Sequence, residues 1–222
     1  MKKKVIIFGT SIFSQVVFQT IVQEDLAEVV AFTLNNNYID KTEFDGIPVI
    51  PFEELDKKYD MSKHEIIIAL GYKRMNDIRK DIYLKCKELG YSIYTLISRN
   101  ALVYTNNIAE GSIILPLAFV GPYVSIGECV ILWNNVSICH HSKIGAFTHI
   151  AGGTTVGGET NIGSNCFIGM NCTFKNGIEI GDRTFVGANS YMNQNTEGGF
   201  GFVGNPAINP RGVKSDVMIK FL

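Results

Sequence analysis

VGPYVSIGECVILWNNVSICHHSKIGAFTHIAGGTTVGGETNIGSNCFIG, residues 120–169, repeats itself every six residues. Val120 is followed at that interval by Ile126, Leu132, Ile138, Ile144, Ile150, Val156, Ile162 and Ile168. Leu102, Ile108 and Ile114 precede the stretch in phase and Phe174, Ile180, Val186 and Met192 follow it, which makes sixteen large apolar residues without a slip. With roughly a third of residues large and apolar, chance yields such a run on the order of once in tens of millions of trials. Gly often follows the key residue, as at Gly121, Gly127, Gly145, Gly157, Gly163 and Gly169. Four residues after the key position the side chain is mostly small or β-branched, from Ser112 through Thr148, Thr154 and Thr160 to Ser190.

A period of six fits neither a helix nor an ordinary strand. It fits a parallel β-helix, in which each hexad makes one short strand and a turn, and three hexads close one triangular coil. The key residue then points inward and stacks on its counterparts above and below, and the small residue fills the remaining corner. The run is long enough for about five coils. A lone β-helix exposes flat faces and open strand edges. The upstream part is expected to cap one end, and three β-helices packed side by side would bury the faces, so a homotrimer with threefold symmetry is expected.

The first hundred or so residues follow a different grammar. Lys4–Phe8 is a short β-branched run closed by Gly9. Residues 12–22 place Ile12, Val16, Val17 and Ile21 on one helical face. Glu28–Leu34 reads as a strand, 46–50 as an extended piece because Pro48 and Pro51 disfavour helix there, 52–58 as a short helix and 65–70 as an Ile-rich strand. Residues 75–89 read as a helix ended by Gly90, and 92–97 as the last strand. Strands alternating with helices imply a parallel sheet covered by helices. The expected organisation is a small α/β Rossmann-like substrate-binding domain over 1–98 and the β-helix with a short tail over 99–222.

Composition narrows the function. The net charge is −1 with no basic stripe, which argues against nucleic acid as a partner. No apolar run approaches a membrane span, and Gly9 follows the lysines and residues 5–8 too soon for a signal-peptide core, so a cytoplasmic location is expected. The five cysteines form no CxxC pair and fit a reducing compartment. With four histidines and no Cys/His cluster at zinc spacing, no metal is expected.

The repeat resembles that of the hexapeptide-repeat acyltransferases, whose β-helix is left-handed. Together with the N-terminal domain it is similar to the bacterial sugar acetyltransferases of the sialic acid O-acetyltransferase and nucleotide-amino-sugar N-acetyltransferase group. Gly204-Asn205-Pro206-Ala207 resembles the Gly-x-Pro-Ala that follows the β-helix in that family. The resemblance implies transfer of an acetyl group from acetyl-CoA to an amine or hydroxyl of a sugar, free or nucleotide-linked, in lipopolysaccharide or capsule synthesis. O- and N-transfer stay open.

His140, His141 and His149 interrupt a region of small and repeat residues. His140 and His149 both sit off the inward position and should face outward, which in a trimer can mean the groove between neighbouring β-helices. A nucleophile attacking a thioester must lose a proton, and neutral imidazole suits that task near neutral pH. The resemblance implies that His140 is this base and that His149 meets the acyl-CoA near its carbonyl. Many relatives have Asp or Glu after the base, where this chain has His141. Residues eighteen apart stack in adjacent coils, which places Glu159 over His141 as a candidate acid that holds it; the plainer reading is a solvated turn residue.

The resemblance also places Gly152, Met170, Gly187 and Ala188 along the pantetheine arm and Gly204, Pro206 and Ala207 near the adenine end, though each also fits ordinary repeat packing. For the acceptor the candidates are Gly9, Thr10 and Ser11, which cap the first helix or bind phosphate, then Asn35, Asn36, Gly71, Tyr72 and Lys73. Trp133, one hexad before His140, is a candidate exposed stacking platform for a sugar ring. The alternative reading is a non-catalytic β-helix binding or scaffold protein that has lost the acid partner of the base.

Overall fold

The computed structural model describes residues 2–204. The N-terminal part forms β1 (Lys4–Phe8), α1 (Ile12–Gln23), β2 (Glu28–Leu34), β3 (Glu43–Phe44), β4 (Ile47–Pro51), α2 (Leu55–Lys58), β5 (His64–Ile68), α3 (Asp77–Glu88) and β6 (Ser92–Ile93). The sheet order is β3-β4-β2-β1-β5-β6. Only the β3–β4 hairpin is antiparallel; β4, β2, β1, β5 and β6 run parallel. Near-continuous apolar text in β1 and β5 is what a parallel strand covered on both faces requires. Val5, Ile6, Ile7, Ile66 and Ile67 are fully buried.

Two expectations shift at the edges. Residues 92–97 are not one strand: β6 ends at Ile93, and Leu96–Ile97 pairs with Ile113–Ile114 as the first rung of the coil. The helix expected from residue 75 starts at Asp77, because Arg74, Met75 and Asn76 all have positive φ.

Two-residue strands then wind into a three-faced parallel β-helix. The first face holds Leu96–Ile97, Ile113–Ile114, Ile131–Leu132, His149–Ile150, Phe167–Ile168, Phe185–Val186 and Gly201–Phe202. The second face holds Leu102–Val103, Phe119–Val120, Ser137–Ile138, Thr155–Val156, Thr173–Phe174 and Tyr191–Met192. The third holds Ser125–Ile126, Lys143–Ile144, Asn161–Ile162 and Glu179–Ile180. The key residues from Ile114 to Met192 are all 5% exposed or less. Burying each such side chain is worth about 1.5–3 kcal/mol. The first hexad departs from the expected phase: Val103 pairs with Val120, and Leu102 faces out at 59% exposure.

Each corner is turned by a left-handed residue. Every sixth position from Leu117 through Tyr123, Cys129, Asn135 and His141 to Asn189 has positive φ. The glycines after the key residues serve close approach instead: a Cβ on Gly145 would lie 2.5 Å from the backbone of Gly163 in the next coil. Coil and sheet share a core. Val5, Ile7, Phe13 and Val17 pack in one cluster with Ile113, Leu115 and Ile131 on the outside of the first face.

Candidate active site

Read eighteen residues apart, the outward side chains of the first face are Ile113, Ile131, His149, Phe167 and Phe185. Ile113 and Ile131 are wholly buried beneath the N-terminal sheet. Beyond them the cover ends and a cleft of about 670 Å³ opens between Phe13, the loop at Gly71 and Tyr72, and the next coils. Gly152, Gly169, Gly187 and Ala188 line it, Met170 stands at it 60% exposed, and none of its described lining side chains carries a full charge. Five of the expected acyl-donor positions, His149, Gly152, Met170, Gly187 and Ala188, therefore meet in one cleft with the acceptor candidates Gly71, Tyr72 and Trp133.

His149 departs from the expectation of an open, outward side chain. It does face away from the coil interior, but it is only 3% exposed, with the rings of Tyr72 and Phe167 each 5.4 Å away. Burial, helped by the Arg79 charge, pushes its pKa down to about 3, so the ring is neutral. Trp133 Nε1 donates to His149 Nε2 at 2.9 Å. Trp133 is half-buried rather than exposed, with its ring 5.2 Å from Phe13 and its N–H spent on His149, while the residue still lines the cleft.

Behind this wall lies Arg79 of α3, 1% exposed. Its guanidinium donates to the carbonyls of Leu70 and Gly71 at 3.2 and 3.1 Å, and to those of Cys129 and Phe147 on successive coils. It thereby ties the Gly71 loop to the coil through backbone alone. The left-handed turn that follows is held from the other side. Asn76 Nδ2 donates to Cys166 O at 3.0 Å, Asn165 Nδ2 to Met75 O at 3.0 Å, and Arg183 pairs with Asp77 at 2.8 Å. Tyr72 is carried into the cleft by this braced loop and lies 4.3 Å from the Phe167 ring. Lys73 on the same loop is exposed and does not line the cleft.

The second cluster lies elsewhere, at the corner between the second and third faces. His140 is exposed there, and its Nδ1 lies 3.1 Å from His141 Nδ1. That contact is a hydrogen bond when one of the two atoms carries a hydrogen. With the hydrogen on His140 Nδ1, its Nε2 keeps the lone pair a base needs. His141 is stacked on Tyr123, with ring centroids 4.7 Å apart. Gly158, one coil on, makes room for His140, since a Cβ there would be 2.6 Å from the imidazole. The expected Glu159–His141 contact is not made. Both are left-handed corner residues, and Glu159 reaches the pair only through its backbone N–H, which donates to His140 O at 2.9 Å. Its exposed carboxylate has no hydrogen bond or ion pair among the described residues, because the corner geometry that stacks the two backbones turns it to solvent.

The remaining acceptor candidates divide. Ser11 caps α1: its Oγ accepts from Ser14 N, and Ser14 Oγ accepts from Ser11 N at 3.1 Å. Gly9, buried with φ 121°, lets β1 turn into that cap, and Thr10 follows half-buried. Asn35 and Asn36 bond to Glu53, and Asn35 lines a separate hollow of about 370 Å³. Gly204 lines another hollow of about 430 Å³ with Tyr191 and Phe202; Pro206 and Ala207 lie outside the described residues.

Comparison with known proteins bears on the coil first. Residues 159–194 match the family model described as bacterial transferase hexapeptide (six repeats). That match covers part of the coil, from the corner at Glu159 to the strand Tyr191–Met192. Residues 1–97 match a second model, described as C2185-like, N-terminal. The hexapeptide coil and its N-terminal sheet are together similar to the acetyltransferase domain of PglB from Neisseria gonorrhoeae FA1090, with a TM-score of 0.82 at 24% identity over 93% of this chain and 98% of that one. That domain in complex with acetyl coenzyme A aligns with a TM-score of 0.81 at 23% identity, covering 94% of this chain and 99% of that one. PerB from Caulobacter crescentus, in complex with CoA and GDP-perosamine, aligns with a TM-score of 0.79 at 20% identity over 90% of this chain and 94% of that one. WeeI from Acinetobacter baumannii AYE gives 0.74 at 19% identity, covering 93% of this chain and 99% of that one. At these identities the likeness establishes the hexapeptide fold. Among the described residues no group of three or more His, Cys, Asp or Glu is placed to hold a metal ion, and no helix is long and apolar enough to cross a membrane.

Proposed function

We propose that the protein is an acetyl-CoA-dependent acetyltransferase that modifies an amine or hydroxyl of a sugar in bacterial surface-glycan synthesis. The observation that carries this reading is the cleft: an uncharged slot on a hexapeptide coil, lined by small residues of successive turns and holding a neutral buried imidazole. Small residues let an extended pantetheine arm approach the backbone, and a neutral donor suits a carbonyl oxygen on which charge develops. Solved relatives of the same fold whose descriptions name acetyl coenzyme A, CoA and GDP-perosamine support the donor and a nucleotide-linked sugar as acceptor.

In this reading the coil is left-handed, the N-terminal sheet is a Rossmann-like domain over 1–98, and the transferase domain runs over 99–222. The protein works in the cytoplasm, where its donor is made. His140 Nε2 takes the proton from the attacking amine or hydroxyl while His141 Nδ1 holds the other side of the ring. His149 Nδ1–H donates to the thioester oxygen. His140 then returns the proton to the departing thiolate. His140 and the cleft occupy different corners of one coil, so the site is completed when the His140 corner of one subunit meets the cleft of the next in a threefold trimer. The large apolar side chains left exposed on and beside the second face, Leu102, Tyr104, Tyr123 and Tyr191, support that packing.

The test is thiol release from acetyl-CoA with a panel of sugars, free and nucleotide-linked, each bearing an amine or a hydroxyl. Acceptor-dependent release is expected, lowered by about 10²-fold or more in His140→Ala. Release that survives the substitution would remove His140 from the chemistry. Binding of acetyl-CoA without transfer to any acceptor would favour a scaffold. A monomer in sedimentation at micromolar concentration would remove the shared site.

A further inference from the structure

Among the described residues lining the cleft, His149 is the one polar side chain that is buried. One of its ring nitrogens has a partner and the other does not. Nε2 receives the indole N–H of Trp133 at 2.9 Å. Nδ1 is out of contact with solvent and has no hydrogen-bond partner. An indole nitrogen is a donor and never an acceptor, so His149 Nε2 must present its lone pair. A ring that keeps the lone pair on Nε2 carries its single hydrogen on Nδ1. The unpartnered atom is therefore a donor, and a buried donor left unpaired in an otherwise paired structure asks for an explanation.

We propose that Trp133 is a positioning residue, whose indole N–H locks His149 in the neutral tautomer that keeps a hydrogen on Nδ1, reserved for an oxygen of the ligand that enters the cleft. Arg79 supports the same state. Its guanidinium is buried against four backbone carbonyls with no carboxylate among its partners, so a second positive charge on His149 is opposed from behind. The half-exposed ring of Tyr72 meets His149 edge to face from the braced loop, with centroids 5.4 Å apart, and is the side chain an arriving oxygen would have to displace. The role of this donor rests on the acetyl-transfer reading, in which the oxygen belongs to the thioester. The tautomer itself does not.

Nitrogen NMR of the full-length protein with labelled histidine reads the tautomer directly. His149 is expected neutral with its hydrogen on Nδ1 from pH 8 down to pH 5, roughly two units above its pKa. Trp133→Phe, which keeps an aromatic ring in place, should give a mixture of tautomers. It should lower kcat for acetyl transfer by about tenfold and change KM for acetyl-CoA by less than about twofold, as loss of an interaction made in the transition state does. In a His149→Ala background the same substitution should add nothing, because Trp133 acts through the imidazole. Hydrogen on Nε2 in the unaltered protein overturns the proposal, and this needs no variant to fold. An equal loss of kcat with and without His149 also overturns it, since that is the mark of packing alone. The Nδ1–H tautomer in a protein that transfers no acetyl group would support the lock and remove the acetyltransferase reading.

Discussion

The two histidine sites of this chain are nine residues apart in sequence and opposite in construction. His149 is enclosed: an indole fixes one nitrogen, aromatic rings flank it, and a buried guanidinium stands behind it. His140 is open: its ring lies over a glycine on an exposed corner, and its side-chain hydrogen-bond contact among the described residues is another imidazole. The enclosed site is finished by the chain's own N-terminal part: its sheet and first helix cover the first face as far as Ile131, and Tyr72 on the braced loop reaches on to His149 and Phe167. The open site has no such cover. In the proposed trimer a second subunit would supply the missing wall of the open one.

Mixing two inactive variants tests that difference most severely. His140→Ala and His149→Ala should each be nearly silent alone. Refolded together as random trimers, about one quarter of the interfaces would pair an intact His140 corner with an intact His149 cleft. Activity should rise from near nothing to roughly that fraction of the unaltered enzyme in a thiol-release assay. Two variants that stay silent in mixture would place both histidines in one subunit and break the comparison.

The open site was easier to read in the sequence than the enclosed one. Its corner follows from the hexad count alone, because His140 and His141 fall where the coil turns and nothing else decides their exposure. The inward core from Ile114 to Met192 is equally local, being set by a period of six. The enclosed site depends on what lies across the fold. Nothing near Trp133 in sequence says that its indole reaches His149, or that Phe13 lies against it. Arg79 sits in an ordinary charged helix, and only the arrival of Cys129 and Phe147 from two coils buries it. One signal was present. Every eighteenth residue from Ile113 is large and apolar except His149, whereas the same outward column on the third face reads Ser125, Lys143, Asn161 and Glu179. An apolar outward column marks a covered face, and the polar residue within it marks where the cover meets the cleft. The failure of the Glu159 expectation has a similar cause: stacking at eighteen residues fixes backbones, not the direction of a long side chain at a left-handed corner.

Acid should act on the enclosed site first. The pKa of His149 is near 3 in the folded chain, below its ordinary 6.5, so folding favours the neutral ring. The unfolded chain takes up a proton below about pH 6.5 that the folded chain refuses, so the stability from neutral His149 is complete above that pH and is lost as pH falls toward 3. The slope approaches about 1.4 kcal/mol per pH unit. Between roughly pH 6.5 and 5 it stands apart from carboxylate titration, which begins lower. Melting temperatures measured across this window should fall for the unaltered protein and stay flatter for His149→Gln. Equal slopes for the two would mean that water reaches the ring and that the enclosure is incomplete.

The smallest of these effects belongs to the open site. Gly158 has an ordinary backbone conformation, so alanine there is not strained by φ; its methyl would instead lie 2.6 Å from the His140 ring. The ring is exposed and can yield to the methyl by giving up its contact with His141, so the protein should fold with stability changed by less than about 1 kcal/mol. What changes is direction. Displaced by the methyl, His140 loses its alignment with His141, and Nε2 no longer points where the acceptor proton would be. A base held out of line by a fraction of an ångström should lower kcat by about tenfold to a hundredfold while leaving KM for acetyl-CoA nearly unaltered, since neither Gly158 nor His140 lines the cleft proposed for the donor. A rise in that KM with kcat preserved would mean that the His140 ring holds the donor rather than taking the acceptor's proton.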